Sequence, residues 1–346
     1  MITESNDVKR QENHLNESNQ KEELLTVENL HIKFYSEGKK KITAVNNVSF
    51  RLNRSETVAL VGESGCGKSV TSFSIMGLIS KHVGEVEGSI KLNRKELNGI
   101  PSKKMRDIRG RDISMIFQEP MTSLNPVHKI GDQIGEVLEL HTQFSKEEIK
   151  QKTIEMLRKV GIPRADKIIR EYPHQLSGGM RQRVMIAMAM ACNPALLIAD
   201  EPTTALDVTI QAQILDLMNS LKSNFQTTIL LITHDLGVVA EIADRVMVMY
   251  YGQIVEETDV QTLFATPKHP YTVGLLNSIP NLEEDSKRLH PIEGNVPYLG
   301  EISEGCPFRF RCKDAMEKCS HENPPLISLD KQKVRCWIYG EKEVTI

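Results

Sequence analysis

The chain has 346 residues, enough for one large domain with a smaller addition or for two ordinary domains. Hydrophobic residues make up 40% and charged residues 26%, as in soluble globular proteins, and a net charge of −3 excludes strong attraction to nucleic acid or anionic lipid. The polar N-terminus lacks a signal-peptide core, and no apolar stretch approaches the ~18–20 residues of a spanning helix. We therefore expect a cytoplasmic protein that reaches membranes only through partners and whose six cysteines are not disulfides.

The N-terminal part of the chain predicts a tail followed by strands and one helix. Residues 1–24 are poor in apolar side chains and are expected to be disordered. Residues 25–34 and 43–52 alternate with the period of antiparallel strands. A short apolar run at 57–62 ends in glycine and predicts a buried strand, and residues 67–79 have the length and composition of a helix.

The rest of the chain predicts a helical insertion, a covered sheet and a C-terminal extension. Residues 120–173 are rich in helix formers with helical spacing of Leu, Ile and Val. The continuous apolar runs at 195–200 and 227–234 are typical of central strands, and each is followed by a predicted helix, the second spanning 236–246. After about Pro267 these periods fade and prolines and charges become frequent, so we place a boundary there.

The stretch "GESGCGKS" at 62–69 predicts a phosphate-binding loop. It fits G-x-x-x-x-G-K-[ST], with a predicted strand before it and a predicted helix after it. Its backbone N–H groups and the helix dipole form an anion site. Lys68 is expected to reach the β- and γ-phosphates and Ser69 to ligate Mg²⁺. Cys66 is interpreted as a small tolerated residue, the alternative being a redox role. The predicted nucleotide-binding residues of this loop and the following helix are Gly62, Ser64, Gly65, Cys66, Gly67, Lys68, Ser69 and Val70.

Polar side chains follow three other strand-like runs. Asp200 ends a buried strand, where an acid needs a cation, so it is the expected Mg²⁺ partner. Glu201 points the other way and is the candidate for polarising the attacking water. His234 is a candidate to contact the γ-phosphate or hold that water, and equally a strand-end residue capping a helix. Gln118 offers an amide that can touch Mg²⁺ or the water.

The stretch "LSGGM" at 176–180, taken with these motifs and "ALD" at 205–207, resembles the ATPase subunit of ABC transporters over about 240 residues. The resemblance implies an α/β fold: a P-loop, RecA-like core with an antiparallel β subdomain and a helical subdomain at about 120–173. It places the ATPase domain at 25–266 and a small cysteine-bearing extension at 267–346.

The resemblance also implies roles that the residues alone do not. Two such domains pair head to tail, so Ser177, Gly178 and Gly179 would contact the ATP of the partner subunit, and Asp207 would link the two sites. Met180 departs from the commoner Gln of the signature. Phe34 or Tyr35 would stack on adenine, the alternative being an aromatic packed on the sheet.

Segments such as "PKHPYTVGLLNSIP" look like the D-type ATPase of oligopeptide and dipeptide importers. This implies ATP hydrolysis with Mg²⁺, a second, F-type ATPase subunit, two transmembrane permease subunits and an extracytoplasmic peptide-binding protein. It also implies a peripheral position at the cytoplasmic face of the cell membrane. The same machinery could carry nickel, glutathione or an antimicrobial peptide, and a soluble ABC ATPase outside transport is a further alternative.

Four of the six cysteines lie in the extension: Cys306, Cys312, Cys319 and Cys336. Their spacing allows scattered thiols, a Cys₄ zinc site with His321 in reserve, or an iron–sulfur cluster. The gaps are wider than the close pairs of most zinc sites. Resemblance to importer ATPases with this C-terminus implies a 4Fe-4S cluster with a structural or regulatory role.

Overall fold

The computed structural model describes residues 22–36, 41–118, 123–204, 206–278 and 292–340. Most of the predicted tail therefore lies outside the described residues, but the first strand begins at Glu23 and Leu24 is buried, so residues 23 and 24 are not part of a tail. The strands are β1 (Glu23–Tyr35), β2 (Lys41–Asn53), β3 (Thr57–Val61), β4 (Gly84–Leu92), β5 (Lys95–Glu96), β6 (Ile113–Ile116), β7 (Leu196–Asp200), β8 (Thr228–Thr233), β9 (Arg245–Tyr250), β10 (Gln253–Asp259), β11 (Ile327–Leu329) and β12 (Gln332–Val334).

Eleven α-helices are described between and after these strands. They are α1 (Lys68–Ile75), α2 (Ser102–Ile108), α3 (Ile130–His141), α4 (Lys146–Lys159), α5 (Ala165–Ile168), α6 (Gly178–Met190), α7 (Val208–Phe225), α8 (Leu236–Ile242), α9 (Val260–Ala265), α10 (Pro270–Asn277) and α11 (Lys318–His321). Among the described residues no helix is both long enough and apolar enough to cross a membrane.

Two sheets organise the fold, and they confirm the predicted combination of a parallel core with an antiparallel subdomain. The smaller sheet has the order β2-β1-β4-β5, with antiparallel neighbours throughout. The larger sheet has the order β11-β12-β10-β9-β3-β8-β7-β6, in which β9, β3, β8, β7 and β6 run parallel. Strands β3, β7 and β8 are buried at every residue, as their continuous apolar runs require.

Helices α3, α4 and α5 lie within the predicted helical insertion. Helix α4 begins with a capping box in which the Ser145 hydroxyl and the Glu148 carboxylate satisfy each other's backbone N–H groups. Its apolar face, including Ile154 and Leu157, packs into the same hydrophobic cluster as the covered face of the main sheet. The insertion is therefore attached through a shared core.

Two predicted elements differ from those observed. Helix α1 ends at Ile75 rather than near residue 79, because Gly77 adopts a left-handed conformation (φ 60°) that closes the helix. Helix α8 ends at Ile242, and Arg245 already belongs to a strand where a helix was predicted through 246.

Regular structure also continues past the predicted boundary near Pro267, where its periods were expected to fade. Helix α10 and strands β11 and β12 all follow it, and β12 pairs with β10 to extend the main sheet. Phe308 is buried against the rings of Tyr250 and Tyr271, with centroids 5.2 and 5.4 Å away. The extension thus shares both a sheet and an aromatic core with the residues before it.

Candidate ATP-hydrolysis site

The candidate residues converge on one edge of the main sheet. Strands β3, β8, β7 and β6 are parallel neighbours, so their carboxyl ends meet at the same edge. Each of these ends delivers one part of the predicted site: the loop 62–69 after β3, His234 after β8, Asp200 and Glu201 at β7, and Gln118 after β6. The fold therefore brings together residues that are far apart in the chain.

The phosphate-binding loop depends on glycine where it leaves β3 and where it enters α1. Gly62 has φ 153°, and a Cβ there would lie 2.2 Å from the carbonyl oxygen of Met249. Gly67 has φ 108° immediately before α1, and a Cβ there would lie 3.0 Å from the carbonyl oxygen of Ala44. The loop can keep this path only without side chains at these two positions.

The lysine of the loop is buried and bonded to the loop itself. Lys68 Nζ donates to the carbonyl oxygens of Gly62 at 2.7 Å and Glu63 at 3.0 Å. These contacts hold the ammonium group inside the concave side of the loop, as a lysine that meets phosphate requires.

The other predicted loop residues differ in exposure. Ser64 and Gly65 are exposed, whereas Val70 packs partly against the core beneath the antiparallel sheet. Cys66 is fully buried, and burial raises the pKa of its thiol. That direction agrees with its interpretation as a packing residue, because reactive cysteines have lowered pKa values.

Ser69 and Asp200 form the pair that suits a magnesium ion. The Ser69 hydroxyl donates to Asp200 Oδ1 at 3.3 Å. Asp200 is buried, and burial raises the pKa of its carboxyl group. A carboxylate and a hydroxyl are oxygen donors of the kind that Mg²⁺ prefers, and a cation would offset the cost of burying the charged acid. The residues present therefore fit the ion.

Glu201 is held by three side chains around its carboxylate. His234 Nδ1 lies 3.1 Å from Oε1, Gln118 Nε2 donates to Oε2 at 2.8 Å, and the Thr204 hydroxyl donates to Oε2 at 2.9 Å. Although partial burial favours the protonated acid, the bonds from His234 and Thr204 hold the pKa of Glu201 below its ordinary value. The side chain is a carboxylate at neutral pH, as a group that accepts a proton from water must be.

Three details of this arrangement were not predicted. Glu201 has φ 48°, a left-handed conformation that is uncommon for a residue other than glycine and is often found at functional sites. Gln118 contacts Glu201 directly, so its predicted contact with Mg²⁺ stays a prediction. Thr204 was not singled out, and only its hydroxyl three residues after Glu201 could have indicated it.

The signature residues begin helix α6. Ser177 caps the helix by accepting from the backbone N–H of Met180 at 3.3 Å, and Ser177 and Gly178 are exposed. Gly179 packs closely against Ile210. Asp207 caps α7 by accepting from the N–H of Ile210 at 3.0 Å, so it has a local structural role besides its predicted link between sites. The exposed helix start is the kind of surface that can bind an anion from outside the chain.

The two candidate adenine-stacking aromatics differ in packing. Phe34 is partly buried against the core of the antiparallel sheet, while Tyr35 ends β1 and is 42% exposed. The packed-aromatic alternative therefore describes Phe34 better, and Tyr35 has the freer ring face.

The four cysteines of the extension line one small cavity. Cys306, Cys312, Cys319 and Cys336 surround it together with His269, Phe308 and Trp337. The backbone N–H of Cys306 donates to the carbonyl oxygen of Cys319 at 2.8 Å, which closes the loop between them. The four thiols therefore lie around one cavity, and all four are free cysteines in the structure.

The electrostatics of this cavity work against free thiolates. Burial raises the pKa values of Cys306 and Cys336 to about 11 and also raises that of Cys312. The guanidinium of Arg335 is buried and places a positive charge near Cys306. In the part of the chain that the structure describes, no three His, Cys, Asp or Glu side chains are arranged to hold a metal ion. The predicted four-cysteine metal site, with zinc or with a cluster, is thus not confirmed, and His321 does not line the cavity.

Two family models match the chain. A model of ABC transporters covers residues 45–204, and a model of the C-terminal region of oligopeptide/dipeptide transporters covers residues 255–319. The second match begins twelve residues before the predicted boundary at 267, in agreement with the shared sheet.

Curated relatives match nearly their whole length. The chain is 55% identical to the oligopeptide transport ATP-binding protein AppD of Bacillus subtilis, covering 92% of this chain and 98% of that protein. It is 50% identical to the dipeptide transport ATP-binding protein DppD of Bacillus subtilis, covering 93% and 96%, and 50% identical to the oligopeptide transport ATP-binding protein OppD of Haemophilus influenzae, covering 92% and 98%.

Solved structures show the same fold. The ATP-binding cassette MJ0796, in a dimeric post-hydrolysis state with ADP and Pi, matches with a TM-score of 0.61 at 28% identity over 68% of this chain and 99% of that one. The chain cbiO1 of Clostridium perfringens, part of an ABC transporter complex, matches with a TM-score of 0.60 at 25% identity over 71% and 92%. The chain belongs to the family of ATP-binding proteins of the oligopeptide and dipeptide ABC transporters.

Proposed function

We propose that this chain hydrolyses ATP to drive the import of oligopeptides or dipeptides across a membrane. The observation that carries the proposal is the single sheet edge on which Lys68, the Ser69–Asp200 pair and the bonded Glu201 lie together. The full-length similarity to oligopeptide and dipeptide transport ATP-binding proteins supports the cargo class.

The chemistry proposed is in-line attack of water on the γ-phosphorus of ATP. Lys68 and the backbone N–H groups of the loop would bind the phosphates, and Ser69 and Asp200 would hold Mg²⁺, which would supply positive charge to the phosphate oxygens. Glu201 orients the water and accepts its proton as the oxygen–phosphorus bond forms and the bond to ADP breaks. His234 and Gln118 keep the Glu201 carboxylate in one position.

The proposed working unit contains two ATPase subunits arranged head to tail. Ser177, Gly178 and Gly179 would contact the ATP held by an F-type partner, whose own signature residues would contact the ATP bound here. The exposed start of α6 supports this role. Two permease subunits would contact the helical region at about 120–173, an extracytoplasmic protein would deliver the peptide, and this chain would lie at the cytoplasmic face.

Uptake in cells tests the cargo. A strain that lacks this gene should fail to accumulate a labelled tripeptide, and the wild-type chain should restore uptake while Lys68→Ala should not. Unlabelled di- and oligopeptides should compete, whereas nickel and glutathione should not. Competition by nickel or glutathione alone, or normal peptide uptake in the deletion strain, would reject the proposed cargo.

We also propose that the cysteine cavity holds a 4Fe-4S cluster bound by Cys306, Cys312, Cys319 and Cys336. The convergence of four thiols beside the buried Arg335 supports it, because a cluster with four thiolates carries negative charge. When bound, the cluster would pin the short, loop-rich extension.

Anaerobic purification tests this second proposal. The wild-type protein should be brown and contain iron and acid-labile sulfide, and Cys306→Ser should lose both. Cys192→Ser is the matched control, because Cys192 lies outside the cavity and should leave the iron content unchanged. Colourless protein with stoichiometric zinc, or with no metal, would reject the cluster.

A further inference from the structure

Glu63 is the one acidic residue in the phosphate-binding loop 62–69, and all of its polar groups are bonded. Its carbonyl oxygen accepts from Lys68 Nζ at 3.0 Å, and its backbone N–H donates to the Tyr271 hydroxyl oxygen at 2.8 Å. Its carboxylate accepts two bonds from Arg311, at 2.6 Å from Nη1 and 3.0 Å from Nη2. Two of these partners, Tyr271 and Arg311, belong to the C-terminal extension.

The side chain of Arg311 is held in place by contacts within the extension as well as by Glu63. Its side chain is only 4% exposed, and its Nε donates to the carbonyl oxygen of Glu293 at 3.0 Å. The guanidinium therefore has one fixed orientation, and its two remaining nitrogens face both carboxylate oxygens of Glu63. A bidentate arginine–carboxylate pair is stronger and more directional than a pair with lysine.

The backbone that carries Arg311 is also held. The N–H of Arg311 donates to the carbonyl oxygen of Phe308 at 3.0 Å, and that of Arg309 to the carbonyl oxygen of Cys306 at 3.1 Å. The ring of Phe308 is buried beside that of Tyr271, whose hydroxyl oxygen accepts from the Glu63 backbone N–H. The extension therefore holds Glu63 of the loop through two side chains, those of Tyr271 and Arg311, which are themselves fixed by packing and hydrogen bonds within the extension.

The charge of Glu63 explains why its contacts with the extension matter for the proposed function. A carboxylate in a loop that receives triphosphate repels the ligand unless a cation neutralises it and fixes its position. Lys68 is engaged with the phosphates when nucleotide is bound, so the neutralising cation must come from elsewhere. Arg311, 248 positions away in the sequence, supplies it.

We propose that Arg311 is a positioning residue of the ATP site: it neutralises and orients Glu63 and so keeps the phosphate-binding loop able to bind nucleotide. The inference rests on the proposed function, because it assigns a role in ATP binding. It gives the extension a part in the ATPase cycle besides whatever its cysteines hold.

Nucleotide affinity of the full chain tests this role, measured with Mg²⁺ and a non-hydrolysable ATP analogue. Arg311→Ala should weaken binding about tenfold, the scale of losing a charge-assisted bidentate pair, and Arg311→Lys should fall between it and the wild type. Glu63→Gln should bind at least as tightly as the wild type, because the repulsive charge is gone. The double variant Arg311→Ala/Glu63→Gln should recover most of the lost affinity.

Recovery of affinity in the double variant distinguishes a positioning role of Arg311 from a general contribution to stability. Arg309→Ala is the matched control, since Arg309 lies in the same segment but its side chain bonds the backbone of Glu304 and Cys306 and contacts the Phe310 ring. It should leave affinity within about twofold of the wild type, the size of a surface effect. If Arg311→Ala unfolds the chain, Arg311→Lys with and without Glu63→Gln makes the same comparison.

The outcomes distinguish the inference from the proposed function. Wild-type affinity in Arg311→Ala, or a double variant no better than Arg311→Ala, would overturn the role of Arg311 while leaving the ATPase proposal intact. A weakening in Glu63→Gln equal to that in Arg311→Ala would overturn charge neutralisation. A wild-type chain that binds no nucleotide would overturn both.

Discussion

The nucleotide-binding edge and the cysteine-bearing extension are stabilised in different ways. Along the edge, the functional side chains lie at or just beyond the ends of fully buried parallel strands, as Glu201 follows β7 and His234 follows β8. In the extension between 292 and 340, two three-residue strands and a single-turn helix are held by a few buried side chains such as Phe308 and Arg335. The edge is therefore encoded by local motifs, and the extension by individual long-range contacts.

The largest expected effect comes from a substitution at the nucleotide-binding edge that leaves the extension unchanged. Glu201→Gln preserves the shape of the side chain and its ability to hydrogen-bond to its neighbours, but it removes the proton acceptor. ATP hydrolysis should therefore fall at least about a hundredfold. ATP affinity should be retained and the closed dimer should persist in gel filtration with ATP. Steady-state phosphate release measures the loss, and near-normal turnover with the partner subunit's site disabled would remove Glu201 from its role.

The next largest effect is a loss of stability caused by a substitution in the core of the extension. Phe308→Ala removes a buried ring that contacts both Tyr250 and Tyr271, so the free energy of unfolding should fall by about 3 kcal/mol. Phe310→Ala is the control, because the Phe310 ring is 70% exposed and should cost less than about 0.5 kcal/mol. Urea unfolding measures both, and equal losses would contradict the assignment of Phe308 to the core.

A smaller effect appears as pH falls. His269 is buried, its Nδ1 accepts from the Tyr271 N–H at 3.0 Å, and burial lowers its pKa from 6.5 to about 3. The folded state thus favours the neutral ring, so its stabilising contribution is complete above pH 6.5 and is lost progressively below it.

Unfolding at pH 7.5 and pH 5.5 measures this loss. The wild type should lose about 1.4 kcal/mol more over that interval than His269→Asn, which keeps a cap acceptor but does not titrate. His174→Asn is the control, because it makes the same replacement at an exposed histidine. The same pH dependence in wild type and His269→Asn would contradict the account.

The smallest effect sharpens the difference between two neighbouring aromatics of the antiparallel sheet. Tyr35→Ala should weaken ATP binding by about 1 kcal/mol, the scale of one base–aromatic stack, without changing stability. Phe34→Ala should lower stability and leave affinity nearly unchanged, because Phe34 packs against the core. Analogue binding and thermal melting together decide, and the reverse pattern would assign the stack to Phe34.

The sequence was most informative where local pattern and tertiary position coincide. The buried runs of β3, β7 and β8 predicted central strands of a covered sheet, and the motifs that follow them predicted roles for Lys68, Asp200 and Glu201 in binding and hydrolysing ATP. Pattern could not predict that Gln118 bonds Glu201 rather than the Ser69–Asp200 pair, since that depends on side-chain direction at the strand ends.

The extension was less predictable for a physical reason. Strands β11 and β12 have three residues each, too few to show a period. Strand β12 is stabilised by pairing with β10, and β11 by pairing with β12. The Glu63–Arg311 pair joins residues 248 positions apart, and neither side chain has a local signature. The four cysteines stood out by clustering, but their convergence on one cavity required the structure.

The most direct test of the account is ATP hydrolysis by the assembled transporter in lipid vesicles. With both ATPase subunits, the permease subunits and the peptide-binding protein, addition of peptide should stimulate phosphate release and drive peptide accumulation, and Glu201→Gln should abolish both. Hydrolysis by this chain that is unaffected by permease and peptide, with no accumulation, would contradict the claim that its sheet-edge site powers peptide import.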